Sequence, residues 1–209
     1  IDLLAHYKVS VFHLHFGDDE GWRLEVPQFP ELTSYGAHHA MPQKMEDGSY
    51  VEVDYLMPSY NGSIDPEDMS SSANGYITTD EYVEIVKYAW ERRIEVIPEF
   101  DTPGHSRAAI KAMEAYAKRS GDEGYLLSEA ADQSKYVSIQ YYKDNALNVA
   151  IPSTYKFIEV VFDNLIAYHK AAGAPLPAIH IGGDEVPHGA WVDSPACRKI
   201  MAERGWDNI

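Results

Sequence analysis

Val9-Ser10-Val11-Phe12-His13-Leu14-His15-Phe16-Gly17-Asp18-Asp19-Glu20-Gly21-Trp22-Arg23 is the stretch that decides how the rest of the chain reads. A short, β-branched apolar run over residues 9–16 spills into acids, glycines and an aromatic. The pattern recurs twice. Residues 94–100 run into Asp101-Thr102-Pro103-Gly104-His105, and residues 178–182 run into Gly183-Asp184-Glu185. Runs of this length, bounded by turn residues, predict buried parallel strands. Parallel α/β folds place their ligands at the carboxyl ends of the strands. Three strand ends with the same polar chemistry therefore predict one shared site.

Helical signals separate the strands. The opening residues 1–7 read as the tail of an amphipathic helix and not as a signal peptide. Thr78-Thr79-Asp80-Glu81 is a capping box, and Tyr82, Val83, Ile85, Val86, Ala89 and Trp90 follow it at helical spacing. Pro103 is expected to open a second helix, with Ala108, Ala109, Ala112 and Met113 on its apolar face. Pro152 starts a third that stops near Gly173, and Ser194-Pro195 starts a fourth that stops at Gly205. Strands alternating with helices imply a parallel sheet. An open doubly wound sheet and a (β/α)8 barrel both accommodate three strands. The chain is expected to be a single domain, itself part of a larger one. Two polar, turn-rich insertions interrupt it, near 41–77 and 119–150, the second with a strand-like piece at 137–142.

Composition narrows the functions. The 209 residues carry 17 basic and 33 acidic side chains, a formal net charge of −16. Such a surface repels phosphates, which argues against a nucleic-acid partner. No apolar run reaches the ~20 residues of a membrane span. One cysteine, Cys197, excludes an internal disulfide framework.

Asp184-Glu185 is the sharpest chemical element. Neighbours on a strand face opposite ways, so both side chains share a site only if the strand has ended, and Gly182-Gly183 permits that break. A pair of adjacent carboxyls does not easily flank a glycosidic bond in the usual arrangement, whose carboxyls stand ~5 Å or more apart. One can donate a proton while the other holds something else. His13 and His15, two apart on a strand, face one side. With His105, His180 and Asp101 they suit either a metal site or hydrogen-bonded interior packing. His105, at a strand-to-helix turn, is placed to bridge carboxylates or to cap the turn. Trp22 and Trp191 are candidate sugar platforms, with wall packing as the alternative. His15 completes the candidate substrate-binding set.

These blocks together resemble glycoside hydrolase family 20, the β-N-acetylhexosaminidases, including bacterial chitobiases. The resemblance rests on Leu14-His15-Phe16-Gly17-Asp18-Asp19-Glu20-Gly21-Trp22-Arg23-Leu24-Glu25-Val26, Phe29-Pro30-Glu31-Leu32-Thr33, Ile97-Pro98-Glu99-Phe100-Asp101-Thr102-Pro103-Gly104-His105 and His180-Ile181-Gly182-Gly183-Asp184-Glu185, in the family's order over nearly the whole chain. It implies a (β/α)8 TIM barrel, of which this chain covers about strands 2–4. It implies removal of terminal β-linked N-acetylhexosamine with net retention, and no cofactor or metal. Glu185 is then the general acid and later the base. Asp184 orients the substrate's 2-acetamido group, whose carbonyl oxygen attacks the anomeric carbon. Asp18 and His105 form the relay behind the acid, and Asp101 supports the histidine. A hydroxyl-gripping arginine is expected before Ile1, and acetamido-boxing tryptophans and a tyrosine after Ile209. A periplasmic or secreted location follows from family habit. Two other readings remain: a metal-dependent hydrolase using His13 and His15, and a carbohydrate-binding protein without turnover.

Overall fold

The computed structural model describes residues 1–38 and 74–208. Among them a three-stranded sheet in the order β2-β1-β3 is flanked by helices. The elements are α1 (Asp2–His6), β1 (Val11–Asp18), β2 (Gly21–Trp22), α2 (Glu31–Ser34), α3 (Thr79–Glu91), β3 (Glu95–Phe100), α4 (Arg107–Ser120), α5 (Pro152–Ala172) and α6 (Pro195–Arg204). β1 and β3 are parallel, with Val11 opposite Glu95 and His15 opposite Glu99, and a register shift between His15 and Gly17. β2 returns antiparallel on β1. Sequence patterning anticipates neither β2 nor the four-residue α2.

Local chemistry sets most helix boundaries. The capping box at Thr78 forms in full, with Thr78 Oγ1 accepting from Glu81 N–H and the Glu81 carboxylate accepting from Thr78 N–H. Pro152 sits at the first turn of α5, and Gly173 ends it in the left-handed conformation. Ser194 caps α6 by accepting from Cys197 N–H.

Three expectations need correction. The helix expected to open at Pro103 starts at Arg107, because Ser106 ties its hydroxyl to the carbonyls of Asp101 and Gly104 and the first free N–H finds Asp19. The strand expected over 178–182 is reduced to one parallel bridge, His180 beside Glu99. His180 and Ile181 do bond β3 through the N–H groups of Phe100 and Thr102, but Gly182 and Gly183 take positive φ and turn the chain out of the ladder. The piece at 137–142 is a turn, closed by Ser138 N–H on the Tyr142 carbonyl and Tyr141 N–H on the Ser138 carbonyl. In the first expected insertion, residues 41–73 lie outside the described residues. Its flanks are tied by Arg23, whose guanidinium donates to the carbonyls of Ala37 and Gly75.

The core lies between the sheet and its helices. Trp22 stacks on Phe100 at 4.6 Å between ring centres, Phe100 stacks on Phe16, and Phe157 meets Trp22 edge-on. Tyr82 of α3 reaches across to α5, where its hydroxyl meets His169 Nε2 at 3.1 Å. This packing buries one face of β1 and β3. The other carries His13, His15 and Glu99, and the site is built around that face.

Candidate active site

His105 is where the strand ends meet. It follows β3 in a left-handed backbone conformation (φ 51°) and is buried. Its Nδ1 lies 3.2 Å from Asp18 Oδ1 and 3.4 Å from Asp19 Oδ2, both at the end of β1. Its Nε2 lies 3.2 Å from Glu185 Oε2 and 4.0 Å from Asp184 Oδ2, beyond the third strand position. Burial disfavours the imidazolium, but Asp18, Asp19, Asp184 and Asp101 outweigh it, and the His105 pKa is raised.

The Asp184-Glu185 step takes the form that adjacency demands. Gly182 (φ 66°), Gly183 (φ 110°) and Glu185 (φ 49°) all lie at positive φ. A residue other than glycine rarely adopts this conformation, and functional sites are where it concentrates. Gly182 is required on a second ground: a Cβ there would overlap the Asp101 carboxylate. Asp184 is well exposed, whereas Glu185 is held. Gln140 donates its side-chain amide to Glu185 Oε2 at 2.7 Å.

A second cluster surrounds Glu99. His13 Nε2 lies 2.6 Å from Oε2, His15 Nδ1 3.4 Å from Oε2, and His180 Nδ1 2.9 Å from Oε1. His13 and His15 do share a face. They nevertheless fall into different groups of donor atoms close enough to hold an ion, His13 with Glu99 and His180, His15 with Asp18 and Asp101. The two histidines thus do not converge on one ion site. Asp101 is buried, and its pKa is pushed up to about 7, chiefly by burial and by the neighbouring Glu99 carboxylate. Burial also works against the charged form of Glu99, but hydrogen bonds from Asp101 and His15 and the charge of His180 prevail, and its pKa is lowered. His15 is raised: burial opposes the cation, and Asp101, Glu99 and Asp18 overcome it.

A cleft of about 280 Å³ opens between these groups, bordered by His15, Asp18, Glu20, His105, Gln140 and Tyr142. Trp22 is packed inside the fold, which removes it from the candidate sugar platforms. It is 3% exposed, stacked on Phe100, and donates its indole N–H to the Leu24 carbonyl. Trp191 is half-buried, with its N–H on the Leu147 carbonyl.

Sequence reasoning passed over Asp19 and Gln140. Asp19 is 1% exposed and accepts from Asn145 Nδ2 and Arg107 N–H while facing His105, so it ties the relay histidine to the start of α4. Its signal was present, as the partner of Asp18 at a strand end. Gln140 left none, being a neutral side chain in an irregular segment.

Known proteins are similar to this chain in sequence and fold. The model of glycosyl hydrolase family 20, catalytic domain, matches residues 1–209. Beta-hexosaminidase B of Pseudoalteromonas piscicida is 42% identical over 97% of this chain and 26% of its own length. N,N'-diacetylchitobiase of Vibrio harveyi is 40% identical over 88% of the chain and 21% of its own. The crystal structure of a GH20 exo β-N-acetylglucosaminidase from Vibrio harveyi, in complex with N-acetylglucosamine, superposes with a TM-score of 0.73 at 37% identity, over 99% of this chain and 27% of that one. The chain thus spans about a quarter of the length of these relatives.

Proposed function

The chain belongs to glycosyl hydrolase family 20, whose catalytic domain is a TIM barrel, and on that premise we propose that the protein carrying it removes terminal, non-reducing, β-linked N-acetylhexosamine from oligosaccharides or glycoconjugates. The observation that carries the reading is His105, which joins two acids at the end of β1 to the Asp184-Glu185 pair. The chain is read as about strands 2–4 of the barrel, a single partial domain over 1–209, in a periplasmic or secreted enzyme that needs no metal.

Glu185 is assigned as general acid. Its proton passes to the glycosidic oxygen, which keeps the electron pair of the breaking bond to the anomeric carbon. The substrate's own acetamido oxygen forms the new bond to that carbon, so no enzymic nucleophile is needed on the opposite face, and two adjacent carboxyls suffice. Asp184, next in the chain, is assigned to steady the acetamido nitrogen as positive charge develops there. Water then opens the cyclic intermediate, with Glu185 as base, and the configuration is retained. Asp18, with His105, forms the relay that holds Glu185 protonated until the proton is needed, and Asp101, its pKa raised by burial and the Glu99 carboxylate, supports the imidazole side of the cluster. His15 at the edge of the cleft and Trp191 are assigned to the carbohydrate.

The test is substrate choice. The whole protein is expected to release a chromogenic aglycone from an N-acetyl-β-glucosaminide and not from the plain β-glucoside, because the latter lacks the internal nucleophile. Equal turnover of the two would overturn the mechanism.

A further inference from the structure

The segment that carries Gln140 is anchored at both ends. Ser138 and Tyr142 are joined by a backbone bond of 2.8 Å, and Tyr142 N–H also donates to Ser138 Oγ. Further on, the Asn145 carbonyl accepts from Ser106 N–H beside the relay histidine, and the Asn145 amide donates to Asp19. The tip of the turn places the Gln140 amide 2.7 Å from Glu185 Oε2. His105 Nε2 faces the same oxygen, at 3.2 Å. Both contacts fall on Oε2.

We infer that Gln140 is a positioning residue for the general acid: it holds Oε2 of Glu185 as the accepting oxygen, so that Oε1 carries the catalytic proton and presents it to the glycosidic oxygen. The inference rests on the hydrolase reading above. In the first step the O–H bond at Oε1 breaks, and its proton goes to the leaving oxygen. Oε2 keeps its bond from Gln140 throughout. In the second step Oε1 takes a proton from the attacking water and the starting state returns. A glutamine suits this task because its amide donates a hydrogen bond and stays neutral across the working pH range, so it neither takes the proton from the acid nor adds charge to a site already rich in carboxylates. Gln140 is exposed on its turn, so its replacement removes little packing.

The test uses the whole protein with Gln140→Ala and with Gln140→Met, which keeps most of the length and removes the donor. Both are assayed on an alkyl N-acetyl-β-glucosaminide, whose leaving group needs protonation, and on the dinitrophenyl glycoside, whose leaving group departs without it. The expected result is a kcat loss of about tenfold to a hundredfold on the alkyl substrate, the range for a misaligned catalytic group, and a loss several times smaller on the dinitrophenyl substrate, with unchanged thermal melting. A merely structural role would lower both rates together. Equal losses on the two substrates, or a Gln140→Met variant as fast as wild type on the alkyl glycoside, would overturn the assignment of Gln140. A wild type that turns over neither substrate would overturn the hydrolase reading itself, a result distinct from either of those.

Discussion

At Asp101 the balance of burial against charge has a consequence for stability. Burial, the hydrogen bond with Glu99 and the Glu99 and Asp184 charges raise its pKa from an ordinary value of 3.8 to about 7, against the pull of His15. The folded protein therefore binds this proton more tightly than the unfolded chain does. Stability contributed here is complete below pH 4, declines as the pH rises towards 7, and is flat above that. His105, raised from 6.5, adds a loss in the same direction that begins above that pH. Asp101→Asn, which does not ionise, should therefore gain in melting temperature relative to wild type between pH 4 and pH 7. An identical difference at both pH values would contradict the assignment. Glu185→Gln should slow hydrolysis of a natural disaccharide by about 10²–10⁴-fold, the usual worth of general acid catalysis, with binding largely kept. Asp184→Asn distinguishes acetamido steering from nucleophilic attack. A cyclic thiazoline that mimics the intermediate should lose much of its affinity for the variant, and azide should not rescue it. Unchanged thiazoline inhibition, or rescue with inverted product, would remove Asp184 from its role.

Among the described residues, the two side-chain helix caps differ in what surrounds them. Thr78 is in a solvent-facing box, so Thr78→Ala should cost about 1 kcal/mol of folding stability. Ser194 is fully buried: it accepts from Cys197 N–H and Asn148 Nδ2 and donates to Glu129 Oε2. Ser194→Ala strands those partners away from water and should cost about 2 kcal/mol or more. Chemical denaturation of the two variants checks the order, and an equal cost would show that the buried network adds nothing. The same contrast explains which helix starts were legible. Caps made by a residue three positions away, as at Thr78 and Ser194, are visible as spacing. The start of α4 was not, because the carboxylate that receives Arg107 N–H belongs to Asp19, 88 residues away.

For the whole molecule, the exposed apolar side chains set the expectation. Leu3, Tyr7 and Val11 are exposed near the start of the sheet, and Tyr155, Ile166 and Ile181 are exposed on α5 and the third strand position. An apolar cavity of about 200 Å³ lies beside the latter group, bordered by Phe157, Phe162 and Ile181. Exposed apolar surface of this kind normally meets a partner surface. The 209-residue chain on its own should bind an apolar dye and associate, and association should grow with salt, because the net charge of −16 holds copies apart until it is screened. Dye binding and light scattering against ionic strength check this. A chain that stays monomeric and dye-free at high salt would show that these faces are satisfied within it.

What the sequence determined by itself were the features written within a few residues. The capping box at Thr78, the limits of α5 at Pro152 and Gly173, and the break at Gly182-Gly183 that frees Asp184 and Glu185 all depend on spacing and backbone freedom. The order of the strand-end blocks added the family. Tertiary structure alone decided which side chains meet. Asn145 reaches Asp19 across 126 residues and Gln140 reaches Glu185 across 45. It likewise put Trp22 in the core and separated His13 from His15 around Glu99. Local conformation follows from interactions within a turn or a strand pair, whereas these meetings depend on the register between distant elements. Register is set by the packing of the whole core, and no single segment carries it.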